Sequence, residues 1–163
     1  MIKNVENTDE IEVVSQLAYK IWNQHYVPII GQDQVDYMID KFQSQIAITN
    51  QIKNGYEYYL ISHNEIAVGY LALVPDNQTK KLMISKIYID ADYRGSGNGK
   101  QLLDFTKKVS KEIGFKTIWL TVNKYNSKSI NWYQKNGFEI TEEVTMDIGN
   151  GYFMDDYVLT LDL

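Results

Sequence analysis

Apolar residues in the first third of the chain recur at the three-to-four-residue spacing of helices that pack one face on a core. The first predicted helix begins where Asn7, Thr8 or Asp9 can cap it, and it fades near Val27-Pro28. Its apolar positions are Ile11, Val14, Ala18, Ile21 and Trp22. A second helical pattern follows at Val35, Met38, Ile39 and Phe42. Ile48 and Ile52 extend that helix or form a third short one, which stops at Asn54-Gly55.

From Tyr56 onward, aromatic and β-branched residues indicate strands instead of helices. Three strands are predicted in succession, over Tyr56–Ser62, Ile66–Val74 and Leu82–Ile89. The short turn at 63–65 joins the first two strands as a hairpin, and a second turn lies at 75–79. Three antiparallel strands therefore precede a glycine-rich segment.

The last part of the chain alternates helix and strand. A helix follows the glycine-rich segment, and its buried stripe is predicted to be Leu102, Phe105, Val109 and Ile113. Thr117–Val122 is a short, nearly continuous apolar strand of the kind that is buried on both faces. A helix at Ser127–Lys135 leads to two strands, Phe138–Ile148 and Tyr152–Leu161, with the hairpin signal Asn150-Gly151 between them. The pattern predicts a mixed α/β fold.

Length and composition restrict the number of domains and the kinds of site that the chain can form. With 163 residues, of which 44% are hydrophobic and 23% charged, the chain suits one compact domain over residues 1–163. Cysteine is absent, which excludes disulfides, thiolate metal sites and a cysteine nucleophile. The two histidines lie far apart and no metal-ligand spacing occurs, so no metal site is expected.

Hydropathy and charge lead to expectations about the location of the protein and its partners. No apolar run approaches the ~20 residues of a membrane span, and the N-terminus has no signal pattern, so we expect a cytoplasmic protein without a membrane partner. The formal net charge of −5 makes nucleic acid an unfavourable partner. The same charge weakly favours a cationic amine as substrate, although a need for solubility also accounts for it.

The glycine-rich segment lies between a predicted strand and a predicted helix, where unpaired helical N–H groups point outward. Gly97 and Gly99 allow a close approach of the backbone and a positive φ. Arg94 and Lys100 add positive charge, and the helix dipole favours an anion at the same place. The segment therefore predicts a phosphate or diphosphate site, with a flexible strand-to-helix loop as the alternative.

Spacing separates this segment from the common nucleotide motifs. A P-loop requires Ser or Thr after the lysine, but Gln101 follows Lys100, and Arg94 stands where the first glycine belongs. The dinucleotide pattern Gly-x-Gly-x-x-Gly requires a third glycine where this chain has Lys100 or Leu102. The spacing that fits is Arg-x-x-Gly-x-Gly, formed by Arg94, Gly97 and Gly99.

A second motif follows about thirty residues later. The segment from Asn126 through Ser129 and Tyr133 to Gly137-Phe138 ends a strand and enters a helix, and Asn126, Ile130 and Tyr133 share one helical face. With both motifs in this order, the chain resembles the GNAT superfamily of N-acetyltransferases. The motif-level resemblance covers about Ile87 to Phe138.

This resemblance implies a GNAT fold, a mixed and mostly antiparallel sheet of six to seven strands with about four helices packed on both faces. It implies acetyl-CoA as the acetyl donor and direct attack by a primary amine in a ternary complex. The residues implied for acetyl-CoA binding are Ile87, Tyr88, Ile89, Arg94, Gly95, Ser96, Gly97, Asn98, Gly99, Lys100, Asn126 and Tyr133. Tyr133 is also the expected catalytic acid for the departing thiolate, with a core tyrosine as the alternative.

The sequence does not assign the general base to a single residue. Many members carry a glutamate on the strand before the glycine loop, but Met83–Ile87 contains no carboxylate. His25 is one candidate, and the adjacent Asp155 and Asp156 are others, of which at most one can face a cleft on a strand. His63, in a predicted turn, is expected to be solvated.

The sequence also does not identify the acetyl acceptor. Trp22, His25 and Tyr26 are candidate acceptor-binding residues because aromatic rings bind cationic amines, although core or homodimer contacts explain them as well. A small-molecule amine is the expected acceptor. The alternatives are a protein or peptide amine, or an acyl-CoA sensor without turnover.

Overall fold

The computed structural model describes residues 1–163 as one seven-stranded sheet in the order β1-β2-β3-β4-β5-β7-β6, with helices on both faces. Neighbouring strands are antiparallel except β4 and β5, which are parallel. The predicted mixed, mostly antiparallel sheet of six to seven strands is therefore confirmed. The strands are β1 Ile2–Asn4, β2 Glu57–His63, β3 Ile66–Asp76, β4 Lys81–Ile89, β5 Thr117–Asn123, β6 Glu139–Gly149 and β7 Tyr152–Asp162.

The structure has six α-helices where about four were expected, because the region before β2 is divided more finely. The helices are α1 Thr8–His25, α2 Val27–Ile30, α3 Gln32–Met38, α4 Gln45–Lys53, α5 Asn98–Glu112 and α6 Ser127–Lys135, with a π-helical segment at Ile39–Gln43 and a 3-10 turn at Ala91–Tyr93. Gly31, with φ +85°, separates α2 from α3, and the extended Ser44 caps α4. None of the helices is long and apolar enough to cross a membrane.

Each face of the sheet carries its own apolar core. Helices α5 and α6 cover one face, and α1 to α4 with the π-helical segment cover the other. The predicted stripe of α5 is largely correct, since Leu102 is buried and Phe105 and Val109 pack against the core. Ile113 is a correction, because it is 44% exposed. The helix ends at this residue, and Phe115 fills the core position instead.

A gap opens between β4 and β5 and positions the candidate site. The parallel ladder joins Lys81–Met83 to Thr117–Trp119 and then stops. Next to this point Ser85 is the extra residue of a β-bulge, because Ile84 pairs with Leu73 while Lys86 pairs with Ala72. The bulge inverts the alternation of side chains, so that Ile84 packs in the α5/α6 core while the Lys86 side chain reaches the α4 side.

Candidate active site

A cavity of about 470 Å³ lies where β4, β5, α5 and α6 converge, and we call it the glycine-loop cavity. Of the residues implied for acetyl-CoA binding, all except Ser96 line it. The Ser96 hydroxyl instead donates to the carbonyl oxygen of Tyr93 at 3.1 Å. The glycine-rich segment therefore meets Asn126 and Tyr133 of the predicted helical face in one cavity, whereas Ile130 of that face packs in the apolar core.

The glycines shape the loop at the start of α5. Gly95 and Gly97 have φ of +80° and +87°, which favours glycine. The expectation of a positive φ at Gly99 is wrong, because Gly99 is already helical and a Cβ there would lie 3.3 Å from the Trp132 ring. No side chain caps α5, so its first N–H groups remain available to an anion.

The charged and polar side chains of the loop are partly engaged with each other. Arg94 Nε donates to the carbonyl oxygen of Ile89 at 3.0 Å, and Lys100 pairs with Asp104 one turn along α5. Asn98 is buried and braces the loop from inside, since its Nδ2 donates to the Tyr93 carbonyl at 2.9 Å. His63 is exposed as expected, but its Nε2 also bonds Asn98 Oδ1, which ties the β2–β3 hairpin to the loop.

Tyr133 and Asn126 face the same cavity from α6, and both are buried. Burial raises the pKa of the Tyr133 phenol well above its usual range, and the nearby Tyr26 adds to this shift. Asn126 occupies the N-cap position of α6 without capping it through its side chain. Its Oδ1 lies 3.2 Å from His25 Nε2, so the amide and the imidazole are held together at the cavity wall.

His25 lies on the glycine-loop side. Burial lowers the pKa of His25 below its usual value, and the charges of Arg94 and Lys128 act in the same direction despite the hydrogen bond to Asn126. The ring is therefore neutral at pH 7. Two of the candidate acceptor-binding residues therefore line different cavities, because Trp22 faces a second cavity and His25 does not.

The second cavity has a volume of about 480 Å³ and lies between the sheet and the helices α1 to α4, and we call it the helical cavity. Aromatic rings form the wall towards the glycine-loop cavity. The Trp22 and Tyr26 centroids are 4.3 Å apart, and those of Tyr26 and Tyr88 are 6.2 Å apart. The two cavities share five lining residues, which are Tyr26, Ser85, Tyr88, Thr121 and Val122.

Asp156 is the acidic residue that β7 turns into the helical cavity. It is 1% exposed, and neither of its carboxylate oxygens has a hydrogen-bond partner. Burial raises its pKa from 3.8 to about 6. Asp155 points the other way and pairs with Lys124 at 3.0 Å. The prediction that at most one of these two aspartates faces a cleft is confirmed.

Lys86 is a residue of the helical cavity that the sequence interpretation missed. It is 5% exposed, and its ammonium donates to the Phe42 carbonyl, the Tyr58 hydroxyl and Gln51 Oε1, the last at 3.0 Å. Burial lowers its pKa to about 7, while these three oxygens favour the charged form. A lysine within a strand pattern gave no signal of burial, because the bulge that turns it inward leaves no mark in the spacing.

No group of three or more histidine, aspartate or glutamate side chains is close enough to hold a metal ion.

Comparison with known proteins finds a matching family and several similar proteins. The model of the acetyltransferase (GNAT) family matches residues 16–138. An uncharacterized N-acetyltransferase of Mycobacterium tuberculosis is 29% identical over 137 residues, which cover 83% of this chain and 86% of that protein. A spermidine N(1)-acetyltransferase of Thermoplasma acidophilum is 22% identical over 144 residues, covering 82% and 85%. The crystal structure of the PaiA N-acetyltransferase of Thermoplasma acidophilum in complex with coenzyme A matches with a TM-score of 0.83 at 20% identity, over 100% of this chain and 99% of that one.

Proposed function

The chain belongs to the GNAT family of acetyltransferases, and from this premise we propose that it transfers the acetyl group of acetyl-CoA to a small primary amine. The observation that carries the proposal is the pair of cavities that meet at Tyr26 and Tyr88. One cavity contains a helix start that no side chain caps, and the other contains an aromatic wall and a buried carboxylate.

The residues of the glycine-loop cavity fit acetyl-CoA. The free N–H groups at the start of α5, with Gly95, Gly97 and the nearby positive charges, would hold the diphosphate. Beyond Met83 the edge of β4 that faces β5 has no partner strand, so its main-chain groups at Ile87–Ile89 would hydrogen-bond the pantetheine amides and polarise the thioester carbonyl. Asn126 would bind the same arm from α6.

Transfer would proceed by direct attack. The amine nitrogen forms a bond to the thioester carbon, the carbon–sulfur bond breaks, and the thiolate leaves. Tyr133 faces the glycine-loop cavity with a protonated phenol and would donate to that thiolate. The chain has no cysteine that could hold the acetyl group on the way.

A small acceptor is supported by the shape of the helical cavity. A volume of about 480 Å³ lies within the range of small-molecule sites. The rings of Trp22 and Tyr26 provide faces against which a cationic amine can lie. One relative is named for acetylation of spermidine, which is such an amine.

The proposal is tested by incubating the protein with acetyl-CoA and separate panels of polyamines, alkylamines, aminoglycosides, amino acids and peptides, and following release of free thiol. We expect thermal stabilisation by CoA and thiol release with at least one small amine. Release with peptides alone would instead identify a protein acetyltransferase. Stabilisation by CoA without turnover on any panel would identify a sensor, and no CoA binding would contradict the proposal.

A further inference from the structure

Asp156 is distinguished from the other acidic residues by a combination of burial and missing partners. It is 1% exposed, lines the helical cavity, and has no hydrogen bond to either carboxylate oxygen. A buried carboxylate without a partner is unfavourable unless a ligand supplies one. The position therefore points to a cationic or hydrogen-bond-donating ligand in that cavity.

The strand register places Asp156 near the point where the two cavities meet. Asp156 pairs with Asn123 across the β5–β7 ladder, and Thr121 and Val122 on the same β5 segment line both cavities. The charge of Asp156 also acts on the phenol of Tyr26, which is a second shared residue. A ligand held by Asp156 would thus lie close to the residues that the two cavities share.

Two other titratable side chains of the cavities, His25 and Lys86, are already engaged. His25 lines the glycine-loop cavity and bonds Asn126 through Nε2. The Lys86 ammonium is surrounded by three oxygen acceptors from the π-helical segment, α4 and β2. Asp156 alone among the three combines the helical cavity with unoccupied lone pairs.

We propose that Asp156 is the catalytic carboxylate that binds the ammonium group of the acceptor and takes its proton. This inference rests on the proposed function and names the base that the strand before the glycine loop does not supply. The acceptor enters as an ammonium ion, and one N–H proton passes to the carboxylate. The free amine then forms the bond to the thioester carbon.

The proton balance is complete with Tyr133. When the carbon–sulfur bond breaks, the thiolate receives the proton of the Tyr133 phenol. The nitrogen of the new amide still carries one proton too many, and this proton returns to the phenolate. The proton on Asp156 leaves to solvent, so that each turnover releases one proton with one amide and one free thiol.

Several charged or titratable groups act on Asp156 and belong to the pH dependence. Asp155 on β7 raises its pKa and Lys124 after β5 lowers it, and Thr121 on β5 also lowers it without completing a hydrogen bond. The charged residues that line the same cavity are Lys41, Lys86 and Asp147, and the tyrosines are Tyr26, Tyr56 and Tyr88.

The test compares Asp156→Asn, Asp156→Glu and the control Asp155→Asn in the whole protein, with propylamine and spermidine as separate acceptors at saturating acetyl-CoA. We expect kcat/KM for the amine to fall by about 10² to 10³ in Asp156→Asn, with partial recovery in Asp156→Glu and little change in Asp155→Asn. In the wild type the rate should rise with pH through an apparent pKa near 6, and Asp156→Asn should lose that limb.

The failure of this inference is distinguishable from that of the proposed function. A wild-type protein that releases no thiol with these two amines or with any other small amine of the panels overturns both. An active wild type with an equally active Asp156→Asn variant overturns the inference alone. A variant that is slower but keeps the pH limb near 6 also overturns it, because a structural defect lowers the rate without removing the titration.

Discussion

Asp156 is buried without a partner for either oxygen, and at neutral pH this arrangement lowers the free energy of unfolding. The folded-state pKa of about 6 lies above the ordinary 3.8, so the folded protein binds a proton more tightly than the unfolded chain. Stability from this group is fully present below pH 4 and is lost as the pH rises through 6. The loss above pH 7 amounts to up to about 3 kcal/mol.

We therefore expect Asp156→Asn to raise the melting temperature at pH 8 and to leave it nearly unchanged at pH 4. The amide is isosteric and carries no charge, so the penalty of burying a carboxylate disappears. Scanning calorimetry across this pH range measures the difference, with Asp155→Asn as the control. A variant that is less stable than the wild type at pH 8 would show that Asp156 has a stabilising partner in solution.

Tyr133 combines exposure to the glycine-loop cavity with a raised pKa. An ordinary thiol has a pKa of about 8.5, so full transfer of the phenolic proton to the thiolate is uphill unless the amide nitrogen replaces it. We expect Tyr133→Phe to lower kcat by roughly 10² to 10³ with little change in the affinity for acetyl-CoA. Steady-state kinetics and CoA titration separate the two quantities, and full turnover in the variant would remove the acid role.

Single residues could be assigned from the sequence where they belong to a local motif, and not where their environment depends on a remote strand. Arg94, Gly97 and Tyr133 belong to motifs in which spacing along the chain specifies a ligand, and the structure brings them to one cavity. Strand alternation predicted that at most one of Asp155 and Asp156 faces a cleft, without deciding which. The missing hydrogen-bond partners of Asp156 could not be predicted, because they depend on β5, which is remote in sequence.

Among the structural elements, the bulged strand β4 has the largest effect on the site. Ser85 inverts the alternation, so the Lys86 ammonium joins β4 to the π-helical segment through the Phe42 carbonyl and to α4 through Gln51. Neither the bulge nor the π-helical turn has a spacing signature of its own. This is the physical reason why Lys86 was missed and why one predicted helix is divided.

Replacing Lys86 with methionine removes the donor that joins the π-helical segment, α4 and β2, although the Tyr58 hydroxyl still donates to Gln51 Oε1 and Gln51 Nε2 to the Phe42 carbonyl. The cost of burying the ammonium disappears in the same change, so we expect Lys86→Met to act chiefly on the site and to raise KM for the amine, because Phe42 and Gln51 line the helical cavity. Acetyl-CoA affinity should remain, since Lys86 does not line the glycine-loop cavity. Lys81→Met, at the exposed start of the same strand, is the control. Equal KM values for the amine in the two variants would contradict the anchoring role.

The loop before α5 offers a second prediction at this scale. Gly97→Ala places a Cβ on a residue with φ +87°, which costs about 1 to 2 kcal/mol. Gly114→Ala introduces the same kind of strain at φ +80°, after the other end of α5 and among residues that line neither cavity, and neither Cβ meets an atom within 4 Å. We expect similar losses of stability, but weaker acetyl-CoA binding for Gly97→Ala only. Isothermal titration tests this, and equal binding by both variants would exclude the loop from the donor site.

For the whole molecule, the order of β2 to β7 along the chain was predictable, whereas the short β1 and the order of the strands across the sheet were not. The hairpin of β6 and β7 follows from local turn chemistry at Asn150-Gly151. The insertion of β7 between β5 and β6 is a long-range pairing that no local pattern encodes. That insertion brings Asp156 to the gap beside β4, so the helical cavity exists only at the level of the assembled sheet.

Two cavities that meet through a shared wall predict that both substrates are bound together before the acetyl group moves. The chain has no cysteine, and neither cavity offers a serine beside a histidine base that would form an acyl-enzyme, since His25 bonds Asn126. Initial rates measured against acetyl-CoA at several fixed amine concentrations should therefore give intersecting double-reciprocal lines. Parallel lines, or protein that carries an acetyl group after incubation with acetyl-CoA alone, would indicate a covalent intermediate and would mean that the two cavities act in succession.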